Sequence, residues 1–166
     1  VSALNRNLVE VLMLDEGAVN PGELFKRSET RVSINMGEYL LGRAINPMGV
    51  AIDGKRLLAS SKDIQSELDR KAPNINMRKF ITEQFETGIT LIDTLIPIGK
   101  GQRELVLGDA HSGKTAFTID LILNQRDRNV VCIYASIGKP ISQLKSLLEV
   151  LTDTGAMAYS VVIAAS

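Results

Sequence analysis

The sequence predicts an α/β fold, a parallel sheet with flanking helices, preceded by a smaller all-β part. Three observations lead there. Strand and helix patterns alternate from residue 104 onward. A glycine-rich loop joins the first strand of that series to the first helix. Residues 1–38, by contrast, hold short strand-like runs and no sustained helical period. Strands separated by helices make parallel sheets with right-handed crossovers.

In the all-β part, Leu8 to Leu14 is apolar and β-rich, Asn20-Pro21-Gly22 is a turn signal, and Arg31 to Asn35 alternates as a half-buried strand. Two further turn signals follow, Asn46-Pro47-Met48-Gly49 and Asp53-Gly54. Residues 55–80 are charged and aperiodic, the pattern of a long connection, and the charges from Lys62 to Lys71 read as a solvated face. Ile89, Ile92, Leu95 and Ile96 share one helical face behind Thr87-Gly88, with Pro97 just past its end.

Glu104 to Leu107 is then a short strand, and a helix runs from Lys114 to Gln125. Asn129 to Ser136 reads as a buried strand of parallel type. Ile141, Leu144, Leu147, Leu148 and Leu151 mark the next helix, with Pro140 suited to its first turn and Gly155 to its stop. Tyr159 to Ala164 is the third strand. The Leu/Ile stripe is core packing, and Cys132, between Val131 and Ile133, reads as a small buried hydrophobe.

Composition narrows the function. The 166 residues suit one main domain with a piece of another, at roughly 100–200 residues per domain. Nineteen basic and nineteen acidic side chains cancel, which gives no support to a general nucleic-acid binder. Three Tyr, four Phe and no Trp leave little for base stacking. With 45 % hydrophobic residues the chain has the material for a core and is not of disordered type. One Cys and one His exclude an internal disulfide and argue against structural zinc. Neither a signal peptide nor an apolar run of bilayer-spanning length is expected.

The chemistry lies at residues 108–115, Gly-Asp-Ala-His-Ser-Gly-Lys-Thr, a complete G-x-x-x-x-G-K-T loop between expected strand and helix. Gly108 and Gly113 permit backbone conformations that a Cβ resists, so the loop can wrap phosphates with its N–H groups inward. The helix that follows adds free N–H groups and the positive end of its dipole. The candidate phosphate-binding residues are Gly108, Asp109, Ala110, His111, Ser112, Gly113, Lys114, Thr115 and Ala116. Lys114 is placed to reach the β- and γ-phosphates, and the Thr115 hydroxyl to ligate Mg²⁺. His111 reads as a loop side chain that contributes its backbone N–H. No acid stands at the tips of the strands ending Tyr134-Ala135-Ser136 and Ala164-Ala165-Ser166, Asp109 lies within the loop, and Asp120 reads as solvated on the helix. No catalytic residue is therefore assigned.

From Glu86 to Asp109 the chain reads Glu-Thr-Gly-Ile-Thr-Leu-Ile-Asp-Thr-Leu-Ile-Pro-Ile-Gly-Lys-Gly-Gln-Arg-Glu-Leu-Val-Leu-Gly-Asp. This run closely resembles the approach to the P-loop in the α subunits of F-type ATP synthases. Gly37-Glu38, Leu40-Leu41-Gly42-Arg43, Asp53-Gly54-Lys55, Ile122-Leu123-Asn124-Gln125, Cys132-Ile133-Tyr134 and Ala156-Met157 are similar as well. The resemblance implies a RecA-like P-loop NTPase domain over residues 39–166, truncated before its Walker B strand, and part of the N-terminal crown barrel over residues 1–38. It implies ATP or ADP and Mg²⁺ as ligands. It also implies β-type catalytic subunits in an alternating hexamer and a central stalk subunit as partners, with no nucleic acid. The location implied is peripheral, at an energy-transducing membrane touched only through other subunits.

The chain departs from the family's "GDRQTGKT" at Ala110 and His111, and from its "AIGQK" at Lys139, where a Gln is usual. Catalytic β-type chains carry a glutamate there that acts on the attacking water, and Lys139 cannot take that role. A nucleotide-binding, non-catalytic α-type subunit is the reading that results. Another RecA-like hexameric ATPase, such as a Rho-type helicase or a secretion ATPase, and a diverged copy without function are the alternatives.

Overall fold

A computed structural model describes residues 3–4, 6, 8–11, 13, 17–26, 31–56, 64–68 and 70–165. They fall into two compact units, Val1–Arg31 and Val32–Ser166.

In the first unit, β1 (Ala3–Leu4) pairs antiparallel with β2 (Val9–Glu10), Ala3 opposite Glu10 and Leu4 opposite Val9. The strand expected over Leu8 to Leu14 is thus realised as two residues, and its Leu12 and Leu14 lie outside the described residues. The turn at Asn20 is present. Glu23 N–H donates to the Asn20 carbonyl at 3.2 Å, and Gly22 takes a φ of 95° that suits glycine.

The second unit begins with β3 (Ser33–Met36), which pairs antiparallel with β5 (Ile64–Glu67), Ser33 opposite Glu67 and Met36 opposite Ile64. The expected aperiodic connection therefore contains a strand. Its one buried side chain is Ser66, and Ile64 faces solvent, so the run carries no apolar alternation to announce it. Lys62 lies outside the described residues.

Between these strands in the chain comes β4 (Ala44–Ile45), followed by a turn tied down by Asp53. The Arg43 guanidinium donates to both oxygens of Asp53, at 2.6 and 2.8 Å, and to the carbonyls of Lys55 and Arg56. Asp53 also accepts from the backbone N–H of Lys55 at 3.0 Å. Beside Arg43, and with that backbone donor, the carboxyl is held well below the usual carboxylate range.

The parallel sheet has the order β4, β9, β8, with β8 at Cys132–Ile137 and β9 at Ser160–Ala165. Short antiparallel strands β6 (Gln84–Phe85) and β7 (Ile98–Gly99) flank helix α1 (Thr90–Leu95). Helices α2 (Lys114–Leu123) and α3 (Ile141–Asp153) complete the regular elements. The core joins Ala44 and Val162 of the sheet to Ile122 of α2, Leu147 and Leu151 of α3, and Ala156. Central β9 begins fully buried at Ser160 and Val162. The strand expected to be buried, β8, sits at a sheet edge instead. Its side chains alternate, with Ile133 and Ile137 outward and Ser136 inward.

One expected element differs more. Glu104 to Leu107 forms no strand; Leu105 and Leu107 are 79 % and 80 % exposed. An apolar run suits a strand, but a strand also needs a backbone partner, and no described strand pairs with this segment. The helix expected at 89–96 is present as α1, yet Leu95 and Ile96 remain exposed.

Candidate functional site

The glycine-rich loop caps α2. Gly113 is the N-cap, with φ 89° and ψ 4°, and its carbonyl accepts the first helical bond from Phe117 N–H at 2.9 Å. That left-handed backbone is the reason glycine stands there, since an L side chain in it is strained. At Gly108 the constraint is proximity, as a Cβ would lie 2.5 Å from Ser112 Oγ. His111 also has a positive φ, 62°, which His adopts more readily than most residues. The loop so built turns toward the helix start, where the N–H groups of Lys114, Thr115 and Ala116 have no intrahelical acceptor.

The Lys114 side chain folds back over its own loop. Its Nζ donates to the carbonyls of Gly108 at 2.7 Å and Asp109 at 2.5 Å, and to Ser112 Oγ at 3.2 Å. Three donors are thereby held at the mouth of the loop, where the oxygens of an anion could replace the carbonyls.

Beside the loop is a cavity of about 720 Å³. It is lined by every candidate from Ala110 to Ala116, whereas Gly108 and Asp109 act behind it through their carbonyls. Helix α3 supplies the facing wall with Ser142, Gln143 and Ser146, backed by Leu147 and Val150. Sequence reasoning missed these polar residues. Their signal was available, because they occupy the helix face opposite the apolar stripe of Leu144, Leu148 and Leu151.

A further residue outside the motif also arrives at the site. Lys139 follows β8, and its Nζ donates to Thr115 Oγ1 at 3.3 Å and to Tyr134 Oη at 2.8 Å. The ammonium also lies 5.5 Å from the centre of the Tyr134 ring. The hydroxyl assigned to Mg²⁺ is therefore already the partner of a cation. Among the described residues, no group of three or more His, Cys, Asp or Glu is assembled to hold a metal ion. The loop offers its N–H groups and Lys114 to a phosphate, and the Thr115 hydroxyl that a metal would take is shared with Lys139.

Upstream, the Glu86–Asp93 run is a structural joint. The Asp93 carboxylate accepts from Thr87 N–H at 2.8 Å, Thr87 Oγ1 at 2.7 Å and Gly88 N–H at 2.9 Å. These bonds, Thr87 foremost, lower its pKa. Asn124 and Gln125, past the end of α2, donate to the carbonyls of Thr87 and Glu86, and Arg128 pairs with Glu86. The joint thus fixes the far end of the helix that carries the loop.

Residues 88–166 match the ATP synthase alpha/beta family, nucleotide-binding domain. The chain is 43 % identical to the ATP synthase subunit alpha of Mesomycoplasma hyopneumoniae (strain 7448) over 155 residues, 93 % of this chain and 30 % of that one. It is 40 % identical to the ATP synthase subunit alpha of Limosilactobacillus fermentum over 164 residues, 98 % of this chain and 32 % of the relative. The chain therefore spans about a third of the length of the curated relatives it matches.

Proposed function

We propose that the chain, whose residues 88–166 match the ATP synthase alpha/beta family, nucleotide-binding domain, acts as a nucleotide-binding, non-catalytic α-type subunit of an F-type ATP synthase. One observation carries this reading. The G-x-x-x-x-G-K-T loop caps α2 with Lys114 folded across it and a cavity of about 720 Å³ alongside. Backbone N–H groups at 110–116 would bind the phosphates of ATP or ADP, and Lys114 would exchange its loop carbonyls for phosphate oxygens. Thr115 is the hydroxyl offered to Mg²⁺, and Lys139 contests it.

A non-catalytic role is supported by Lys139 itself. Hydrolysis requires a group that accepts a proton from, or orients, the attacking water. An ammonium has only donors. The partners in this reading are β-type catalytic subunits alternating with the α-type chain in a hexamer, and a central stalk subunit. Residues 1–38 would belong to the barrel strands and 39–166 to the nucleotide-binding domain. No helix among the described residues is long and apolar enough to cross a membrane, and we assign the chain a peripheral position reached through other subunits.

The test is an equilibrium titration of Mg-ATP on the full chain and on Lys114→Ala, with phosphate release followed in the same samples. Binding that depends on Lys114 without release supports the assignment. Lys114-dependent turnover by the isolated chain would replace it with an autonomous motor, and parent-like binding by Lys114→Ala would remove the phosphate loop altogether.

A further inference from the structure

We propose that Lys139 is a tethered counter-cation of the nucleotide site, so that this chain binds ATP with little dependence on Mg²⁺. The inference rests on the nucleotide reading of the loop at 108–115. Its own ground is the contact between Lys139 Nζ and Thr115 Oγ1 at 3.3 Å. A metal that takes the Thr115 hydroxyl as ligand would share that oxygen with a fixed like charge, and the two compete. The ammonium does in place what the metal does elsewhere, setting positive charge beside the phosphates. Tyr134 Oη and Thr115 Oγ1 account for two of its three protons, which leaves one for a phosphate oxygen.

The backbone holds Lys139 in this position from both sides. Gly138, with φ 66°, donates its N–H to the Ala165 carbonyl at 3.0 Å, which locks the end of β8 to β9. Pro140 is the N-cap of α3, and its carbonyl accepts from Gln143 and Leu144. The Tyr134 hydroxyl then accepts from the ammonium at 2.8 Å, which holds the charge without neutralising it. A glutamine at this position would offer an amide in place of the charge and leave the Thr115 hydroxyl to the metal.

ATP binding to the full chain, measured with EDTA and again with Mg²⁺, tests the proposal. The parent should change affinity by less than about threefold between the two conditions. Lys139→Gln should lose about tenfold or more in EDTA and recover it with Mg²⁺, and Lys139→Arg, which keeps the charge, should behave as the parent. A parent that needs Mg²⁺ for binding overturns the proposal whether or not the variants fold, as does equal Mg²⁺ dependence in parent and Lys139→Gln. Failure of the underlying nucleotide reading looks different, because the parent would then bind ATP in neither condition, or Lys114→Ala would bind as the parent does.

Discussion

Lys114 Nζ donates to the carbonyl oxygen of Gly108, six residues earlier, at 2.7 Å, and so closes the phosphate loop on itself. Removing the ammonium removes a charge-assisted donor to phosphate, typically worth about 1.5–3 kcal/mol. Lys114→Ala should therefore weaken ATP binding by roughly ten- to 150-fold at 25 °C. The side chain is not part of the core, so the thermal midpoint without nucleotide should stay near that of the parent. Calorimetric titration and a melting curve on the same preparation check both halves.

Gly113→Ala isolates backbone strain from crowding. A Cβ at Gly113 would meet nothing within 4 Å, yet φ is 89°. The added methyl has space, but the backbone does not suit an L residue, which costs roughly 1–2 kcal/mol in a left-handed conformation. Because Gly113 is the N-cap of α2, relief of that strain would also re-aim the N–H groups of the loop. Chemical denaturation should show the loss of stability, and nucleotide affinity should fall with it.

The parts of the site that were legible in the sequence share one property: residue identity at short range specifies them. Gly108, Gly113, Lys114 and Thr115 stand at fixed spacing because the loop geometry demands those residue types. The stripe from Leu144 to Leu151 announces α3 for the same reason. What could not be read depends on distant partners. Leu105, Val106 and Leu107 form an apolar run of strand type, but such a run names no neighbouring strand, and none pairs there among the described residues. Strand β5 pairs with β3 from some thirty residues away and carries one apolar side chain, Ile64, which points to solvent. Lys139 meets Thr115 across 24 positions, a contact made only when β8, α3 and the loop assemble.

The Arg43–Asp53 pair predicts an acid limit to stability. Its carboxyl is held below its ordinary range by Arg43 and by the Lys55 and Ala44 amides. The unfolded chain, with an ordinary aspartate pKa of about 3.9, then binds the proton more readily than the folded one. The pair's contribution is complete above that value and disappears as pH falls through the lower, folded one. Asp53→Asn should be less stable than the parent at pH 7, and the gap should close as the pH is lowered below about 4. Urea unfolding across that range decides it; a gap that stays constant with pH would show that the pair does not titrate as described.

Leu151 tests whether α3 is held by the sheet that also positions Lys139. Its side chain is 0 % exposed, packed in the core with Ala44, Ile122, Leu147, Ala156 and Val162. Truncation to alanine removes the buried methyl groups and leaves a cavity, at a cost of about 2–5 kcal/mol. Val150, the preceding residue, is partly exposed and lines the site cavity, so Val150→Ala should cost far less in stability. The two neighbouring truncations should separate on a denaturant curve, Leu151→Ala by a large shift in midpoint and Val150→Ala by a small one. If they shifted it equally, α3 would not be packed on the sheet through this face, and the wall it gives the nucleotide cavity would need another support.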